Sequence, residues 1–174
     1  MFEFGGIILN STREYNNESI KSLKDEDRVR LRPAVIFGSD GLEGCEHSDF
    51  LKFISNSIDE AREGYGKKIE ITVGKDNDIT VCDHGRGIPV DFNNNEGKYN
   101  WELLFCELYA GGKYDNNSGD NYEYSLGLNG LGLCSTQYSS EYMDVTVIRD
   151  GYKYELHFEK GKNVGGLKKR IYKF

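Results

Sequence analysis

A chain of 174 residues has the length of about one domain, at roughly 100–200 residues each, and can bury a core without disulfides or a structural metal. Hydrophobic residues make up 37% and charged residues 29%, which excludes a membrane-embedded chain and a disordered one. The 22 basic against 29 acidic side chains, net −7, exclude a nonspecific ligand for nucleic acid or anionic membrane, because phosphate binding needs a positive patch.

Residues 1–18 are polar after a short apolar start and are expected to form an N-terminal arm. Their apolar run, Ile7–Leu9, is too short for a signal peptide. No stretch approaches the ~20 apolar residues of a membrane span, so a cytoplasmic protein without membrane contact is expected. A single domain is expected over 19–174. Ser19–Arg32, with Ile20, Leu23 and Val29 among charges, predicts a short helix stopped by Pro33. His47–Glu63 predicts a longer one, because Phe50, Leu51, Phe53, Ile54, Ile58 and Ala61 recur on one face. Ser48 or His47 can cap it and Gly64 can end it. Its opposite stripe carries Lys52, Asn56, Asp59 and Glu63, with Glu60 at the edge; such a stripe is most simply a solvated face.

Ile69–Val73 and Ile79–Cys82 alternate around Lys75-Asp76-Asn77 and predict a hairpin. Trp101–Ala110 predicts a second helix, Gly111–Gly127 a long polar loop and Gly130–Ser140 a third helix. Met143–Ile148 and Tyr152–Phe158 predict a hairpin across Asp150-Gly151, a favoured two-residue turn. Helices interleaved with hairpins imply an α+β fold, with helices on one face of a mostly antiparallel sheet. Cys45, Cys82, Cys106 and Cys134 show no CxxC spacing, and His47, His84 and His157 show no metal spacing. Buried thiols and structural or surface histidines are the expectation.

Glycine supplies 21 residues and proline two. That is about 12% glycine against a usual ~7%, without the proline of a disordered linker, so turns and close backbone approaches are implied. The glycines cluster in motifs. Asp83-His84-Gly85-Arg86-Gly87-Ile88-Pro89 follows a predicted strand directly; its glycines can admit a flat ligand, although a simple turn explains them as well. Ala110-Gly111-Gly112-Lys113 comes next, then Leu126-Gly127-Leu128-Asn129-Gly130-Leu131-Gly132 before a predicted helix, where free N–H groups can hold an anion. Neither a Walker nor a Rossmann pattern fits.

Taken in order, Asn56-Ser57-Ile58-Asp59-Glu60-Ala61, Asp83-x-Gly-Arg-Gly-Ile-Pro, Ala-Gly-Gly-Lys and Gly-x-Asn-Gly-x-Gly resemble the GHKL ATPase fold. The segment Tyr15…Ser19-Ile20-Lys21…Arg32-Pro33…Phe37-Gly38 is similar to the arm and first helix of the B subunits of bacterial type II DNA topoisomerases, the gyrase and topoisomerase IV type. The resemblance covers about residues 15–160. It implies a two-layer sandwich that binds Mg-ATP and couples its hydrolysis to DNA strand passage. Asn56 then matches the magnesium-coordinating asparagine, an oxygen ligand suited to Mg²⁺. Asp83 matches the buried acceptor of the adenine amino group, and Gly87, Ile88 and Pro89 the wall of the adenine site. Glu60 and Arg86 match an ion pair beside the pocket, with Arg86 also able to stack on the base. Lys113, Leu128, Asn129, Gly130, Leu131 and Gly132 match the phosphate side. Tyr15 matches an arm residue that reaches the partner's nucleotide in a homodimer.

Three departures accompany the resemblance. Lys52 stands where the family has its general-base glutamate, one turn before Asn56; a lysine with an ordinary pKa near ~10.4 is protonated and cannot take a proton from water. Leu126 replaces the first glycine of a Gly-Gly pair, and His84 an Asp or Asn. Finally, the family's next strand, transducer domain and metal-binding domain do not follow Phe174, so the domain is expected to be C-terminally incomplete. In the family those parts engage DNA and an A-type topoisomerase subunit. The resemblance thus implies a topoisomerase ATPase domain that binds nucleotide but turns it over poorly, or alternatively a degenerate, non-hydrolysing nucleotide-binding and dimerisation module.

Overall fold

The computed structural model describes residue 16 and residues 22–38, 41–75, 78–110 and 131–173, with the backbone alone at 42–50. The elements run α1 (Asp25–Leu31), α2 (Pro33–Phe37), α3 (Leu42–Arg62), β1 (Ile69–Val73), β2 (Ile79–Asp83), β3 (Phe92–Asn93), β4 (Lys98–Tyr99), α4 (Asn100–Cys106), α5 (Gly132–Ser139), β5 (Tyr142–Arg149), β6 (Tyr152–Glu159), β7 (Lys162–Asn163) and β8 (Lys168–Ile171). The α+β expectation holds, and every described strand pairing is antiparallel.

The main sheet is built on β6, flanked by β5 on one side and by β7 and β8 on the other. Its inner face carries Met143 and Val147 from β5 and Tyr154, Leu156 and Phe158 from β6, all buried. Phe105 of α4 packs on Met143, Leu156 and Phe158, joined by Phe53, Trp101 and Leu133. Each fully buried aromatic here contributes about 1.5–3 kcal/mol of transfer free energy. A second cluster, Val29, Cys134 and Tyr138, ties α1 to α5, and the Tyr138 hydroxyl donates to the Cys106 carbonyl.

The β5–β6 turn forms as the Asp150-Gly151 pair requires, with φ of 52° and 77°, the double positive φ of a type I′ turn. Elsewhere the boundaries move. α1 begins at Asp25, six residues after the expected start, and Pro33 opens α2 at its first turn, where the missing N–H costs nothing. α3 begins at Leu42 with Gly41 at its N-cap, ahead of the expected caps Ser48 and His47. α4 stops at Cys106, before the positive φ of Tyr109. α5 is shorter than expected, starting at Gly132. The expected loop at Gly111–Gly127 and the expected arm up to residue 15 lie outside the described residues.

Five short elements were not anticipated: α2, the two strands of the β3–β4 hairpin, β7 and β8. The β3–β4 hairpin is held by the Asn93 side-chain oxygen, which accepts from the N–H groups of Asn95 and Glu96. β7 follows a tight Lys160-Gly161 turn, and β8 is an exposed edge strand, Lys168–Ile171, paired to Tyr152–Glu155. Among the described helices, none is long and apolar enough to cross a membrane.

Gly87 fixes where the loop after β2 meets the main sheet. Its φ is +74°, and a Cβ there would lie 2.7 Å from the Ile148 carbonyl oxygen and 2.9 Å from Val147 Cγ1. Arg149 Nη1 donates to the Gly87 carbonyl at 2.6 Å. Gly87→Ala combines left-handed strain with a backbone clash and is expected to destabilise the chain by about 2–3 kcal/mol. Gly97, at φ +66° with nothing within 4 Å of its Cβ position, is the matched control, with a cost near ~1 kcal/mol. Urea unfolding of both variants checks this; equal midpoints would show that the loop can lift off β5.

Candidate functional site

α3 presents Lys52, Asn56, Glu60 and Glu63 along one row, a turn apart. Lys52 Nζ donates to Ser135 Oγ at 3.1 Å and lies 4.1 Å from the centroid of the Phe37 ring. An added Cβ on Gly132 would sit 3.4 Å from Lys52 Cβ. Lys52 therefore ties α3 to the first turn of α5. Asn56 is half-buried. Asp59 departs from the expected solvated stripe and is buried, while Leu51, assigned to the apolar face, is 48% exposed.

Asp83 closes β2, within reach of α3. Its Oδ2 accepts from Ser57 Oγ at 3.1 Å and its Oδ1 from the Gly85 N–H at 3.0 Å. A carboxylate offers about four lone-pair sites, so acceptor capacity remains beyond these two bonds. The residue is exposed, unlike the buried acceptor expected from sequence: its neighbour Gly85 has no side chain to cover it. That glycine is required, because a Cβ there would lie 2.4 Å from Glu60 Cγ.

The expected pair of Glu60 and Arg86 forms, and it is larger than two residues. Glu60 Oε1 accepts from the Arg86 backbone N–H at 2.8 Å and from Nε at 2.9 Å, while Oε2 accepts from Nη2 at 2.9 Å. Nη2 also reaches Glu63 Oε2 at 2.5 Å. The guanidinium lies 3.7 Å over the Tyr65 ring, so the tyrosine takes a guanidinium face that was expected to be available for stacking. The Arg86 hydrogen bond holds the Glu60 carboxyl below its usual range, and Glu60, then Glu63, raise Arg86 above its own. This fork ties the loop after β2 to the C-terminal turns of α3.

Gly87, Ile88 and Pro89 continue from this fork, and Ile88 packs into the main core. Leu131 and Gly132 are at the start of α5, where the Leu131 carbonyl accepts from Ser135 Oγ at 2.6 Å. Tyr15, Lys113, Leu128, Asn129 and Gly130 lie outside the described residues. Sequence reasoning missed Ser57, Glu63 and Tyr65 as contributors. Ser57 stood directly after Asn56 in the motif and Glu63 in the polar stripe of the helix, neither with a part assigned, while Tyr65 had no signal. A cavity of about 640 Å³ lies elsewhere, on the C-terminal sheet, between Asp144, Glu155 and His157 and the basic Lys168, Lys169 and Arg170; it shares no residue with this cluster.

No protein-family model matches the chain. Individual relatives do. The B subunit of DNA gyrase from Thermotoga maritima is 42% identical over 151 residues, covering 87% of this chain and 23% of that protein. The type 2 topoisomerase B subunit of Aquifex aeolicus is 41% identical over 155 residues, 89% of this chain and 19% of that protein. The B subunit of DNA topoisomerase 4 from Enterococcus faecalis is 40% identical, over 90% and 22% of the two chains. The chain thus spans about a fifth of the length of these curated relatives. Its fold is similar to the crystal structure of the 43K ATPase domain of Thermus thermophilus gyrase B in complex with an aminocoumarin. There the TM-score is 0.69 and the identity 31%, covering 87% of this chain and 36% of that one. On identity across nine-tenths of its length and on fold, the chain belongs to the B-subunit family of DNA gyrase and topoisomerase IV, in the region of that family's ATPase domain.

Proposed function

We propose that this chain is the ATP-binding module of a type II topoisomerase B-type subunit, and that it binds Mg-ATP weakly and hydrolyses it poorly. The observation that carries the reading is the Asp83 carboxylate at the end of β2, set by Ser57 and Gly85 with acceptor capacity to spare. Adenine offers an amino donor, and a fixed carboxylate recognises it by a charge-assisted hydrogen bond. Gly87, Ile88 and Pro89 supply the wall beside the base. Lys113, Leu128, Asn129, Gly130, Leu131 and Gly132 make up the phosphate side.

The residues fit a magnesium ion as well. Asn56 offers an amide oxygen one turn from Lys52, and that oxygen is the ligand in this reading. The ion supplies charge neutralisation for the phosphates. Coupling to DNA passage, pairing with an A-type subunit and dimerisation through Tyr15 belong to the same proposal. They rest on the resemblance of the sequence motifs and on kinship with the longer relatives, of which this chain spans about a fifth.

The poor turnover rests on Lys52. Its ammonium group, held between Ser135 and Phe37, stands where a carboxylate would have to act on water. The same observation favours a second reading, a nucleotide-binding and dimerisation module without hydrolysis that modulates a topoisomerase. Titration calorimetry with Mg-ATP tests what the two share. A one-to-one complex is expected, and heats no larger than dilution at millimolar ATP would overturn both.

A further inference from the structure

The polar face of the β1–β2 hairpin brings together three residues that the sequence keeps apart. Glu70 and Cys82 are directly paired across the two strands. His84 lies two residues beyond Cys82 and so on the same face, while Asp83 between them points to the opposite one. The Glu70, Cys82 and His84 ligand atoms all lie within 4.8 Å of one another, and His84 Nε2 is 2.7 Å from Glu70 Oε2. All three side chains are exposed. Spacing along the chain had given no metal motif, because the set is completed by strand register.

We propose that Glu70, Cys82 and His84 form a zinc-binding site with three protein ligands and one position left to water. Tetrahedral zinc at bond lengths of ~2.0–2.3 Å sets its donors about 3.3–3.5 Å apart. The carboxylate and imidazole have to separate by less than an ångström to reach that spacing, and the thiol has to close in. Exposed side chains accommodate such shifts by rotamer adjustment. A thiol, an imidazole and a carboxylate favour zinc over magnesium or calcium, which prefer oxygen alone. Lys68 Nζ holds Glu70 Oε1 at 2.7 Å, leaving Oε2 directed at the site, as an outer partner orients a metal ligand. Zinc uptake displaces the Cys82 thiol proton to solvent.

The other described cysteines do not compete on equal terms. Burial pushes the thiol of Cys106 up to about 11 and that of Cys134 up to about 12, and a metal needs the thiolate. The site faces away from Asp83, so it stands independently of the nucleotide reading.

Titration of the whole chain with zinc against a chromophoric chelator tests the proposal, together with absorption spectra in cobalt(II). One equivalent is expected to bind, with a thiolate-to-cobalt charge-transfer band. Cys82→Ser and His84→Asn are each expected to weaken zinc at least ten-fold and to lose or shift that band. His157→Asn, which alters a half-buried histidine flanked by Asp144 and Glu159 but lacking a thiol, is expected to leave both readouts unchanged. Circular dichroism establishes that each variant is folded. Absence of the charge-transfer band in the unaltered chain, or equal zinc affinity in folded Cys82→Ser, would overturn the assignment.

Discussion

Replacing Lys52 with glutamate is expected to raise ATP hydrolysis by about 10²–10⁴-fold over the unaltered chain, the usual contribution of a positioned general base. An ammonium has no lone pair with which to take a proton from water; a carboxylate does. The surroundings tolerate the exchange once Ser135 Oγ, which now accepts from Lys52, turns its single proton from the Leu131 carbonyl to the carboxylate, the carbonyl keeping the Ser135 N–H. What is lost is the contact over Phe37, worth about 0.5–1 kcal/mol at a partly exposed site. Lys52→Gln separates the two effects, since it removes the charge without supplying a base. Phosphate release at saturating Mg-ATP is the measurement. A rise in Lys52→Glu alone assigns the base position, whereas no rise in a variant that still binds nucleotide contradicts it.

Asp83→Asn is expected to weaken ATP binding by about 30–150-fold, corresponding to ~2–3 kcal/mol for a hydrogen bond to a charged group. The substitution is clean because of what Asp83 touches. Gly85 N–H can only donate, so the asparagine oxygen must face it. Ser57 can donate or accept, so its hydroxyl turns to receive the new NH₂ group. The loop geometry survives, while the acceptor facing adenine loses its charge and a lone pair. Calorimetry on both proteins, with unfolding midpoints alongside, checks this. Equal affinities would remove Asp83 from the site.

These two residues also show what the sequence made legible. Asp83, Glu60 and Arg86 stood in motifs whose order pointed to one fold, and Asp150-Gly151 announced its turn because few residues accept two consecutive positive φ values. Ser57 and Glu63 stood beside them in the motif and the polar stripe without a part of their own, and Tyr65 gave no signal. Their parts come from how α3 ends against the loop after β2, where Arg86 is shared by two carboxylates and a ring. Such adjacency is tertiary and leaves no period in the chain.

The fold divides in the same way. α3 was visible where Phe53, Ile54 and Ile58 repeat, but not at its start, where Gly41 and Gly44 interrupt the pattern. β8 was hidden because Lys168-Lys169-Arg170-Ile171 has no alternation to read; it is a strand through its pairing to β6, and charged residues suit an exposed edge. The Glu70–Cys82–His84 cluster was hidden for a third reason. Each residue is ordinary alone, and only the antiparallel register of β1 and β2 puts them on one face.

The central claim, that Asp83 reads adenine at the end of β2, is tested most directly by comparing Mg-ATP with Mg-GTP in calorimetric titrations of the unaltered chain. Guanine presents a carbonyl oxygen where adenine presents its amino group, so a carboxylate acceptor meets another acceptor. The prediction is that ATP binds at least ten-fold tighter than GTP, as one hydrogen bond to a charged group worth about 1.5–3 kcal/mol requires. Equal affinity for the two nucleotides would contradict it.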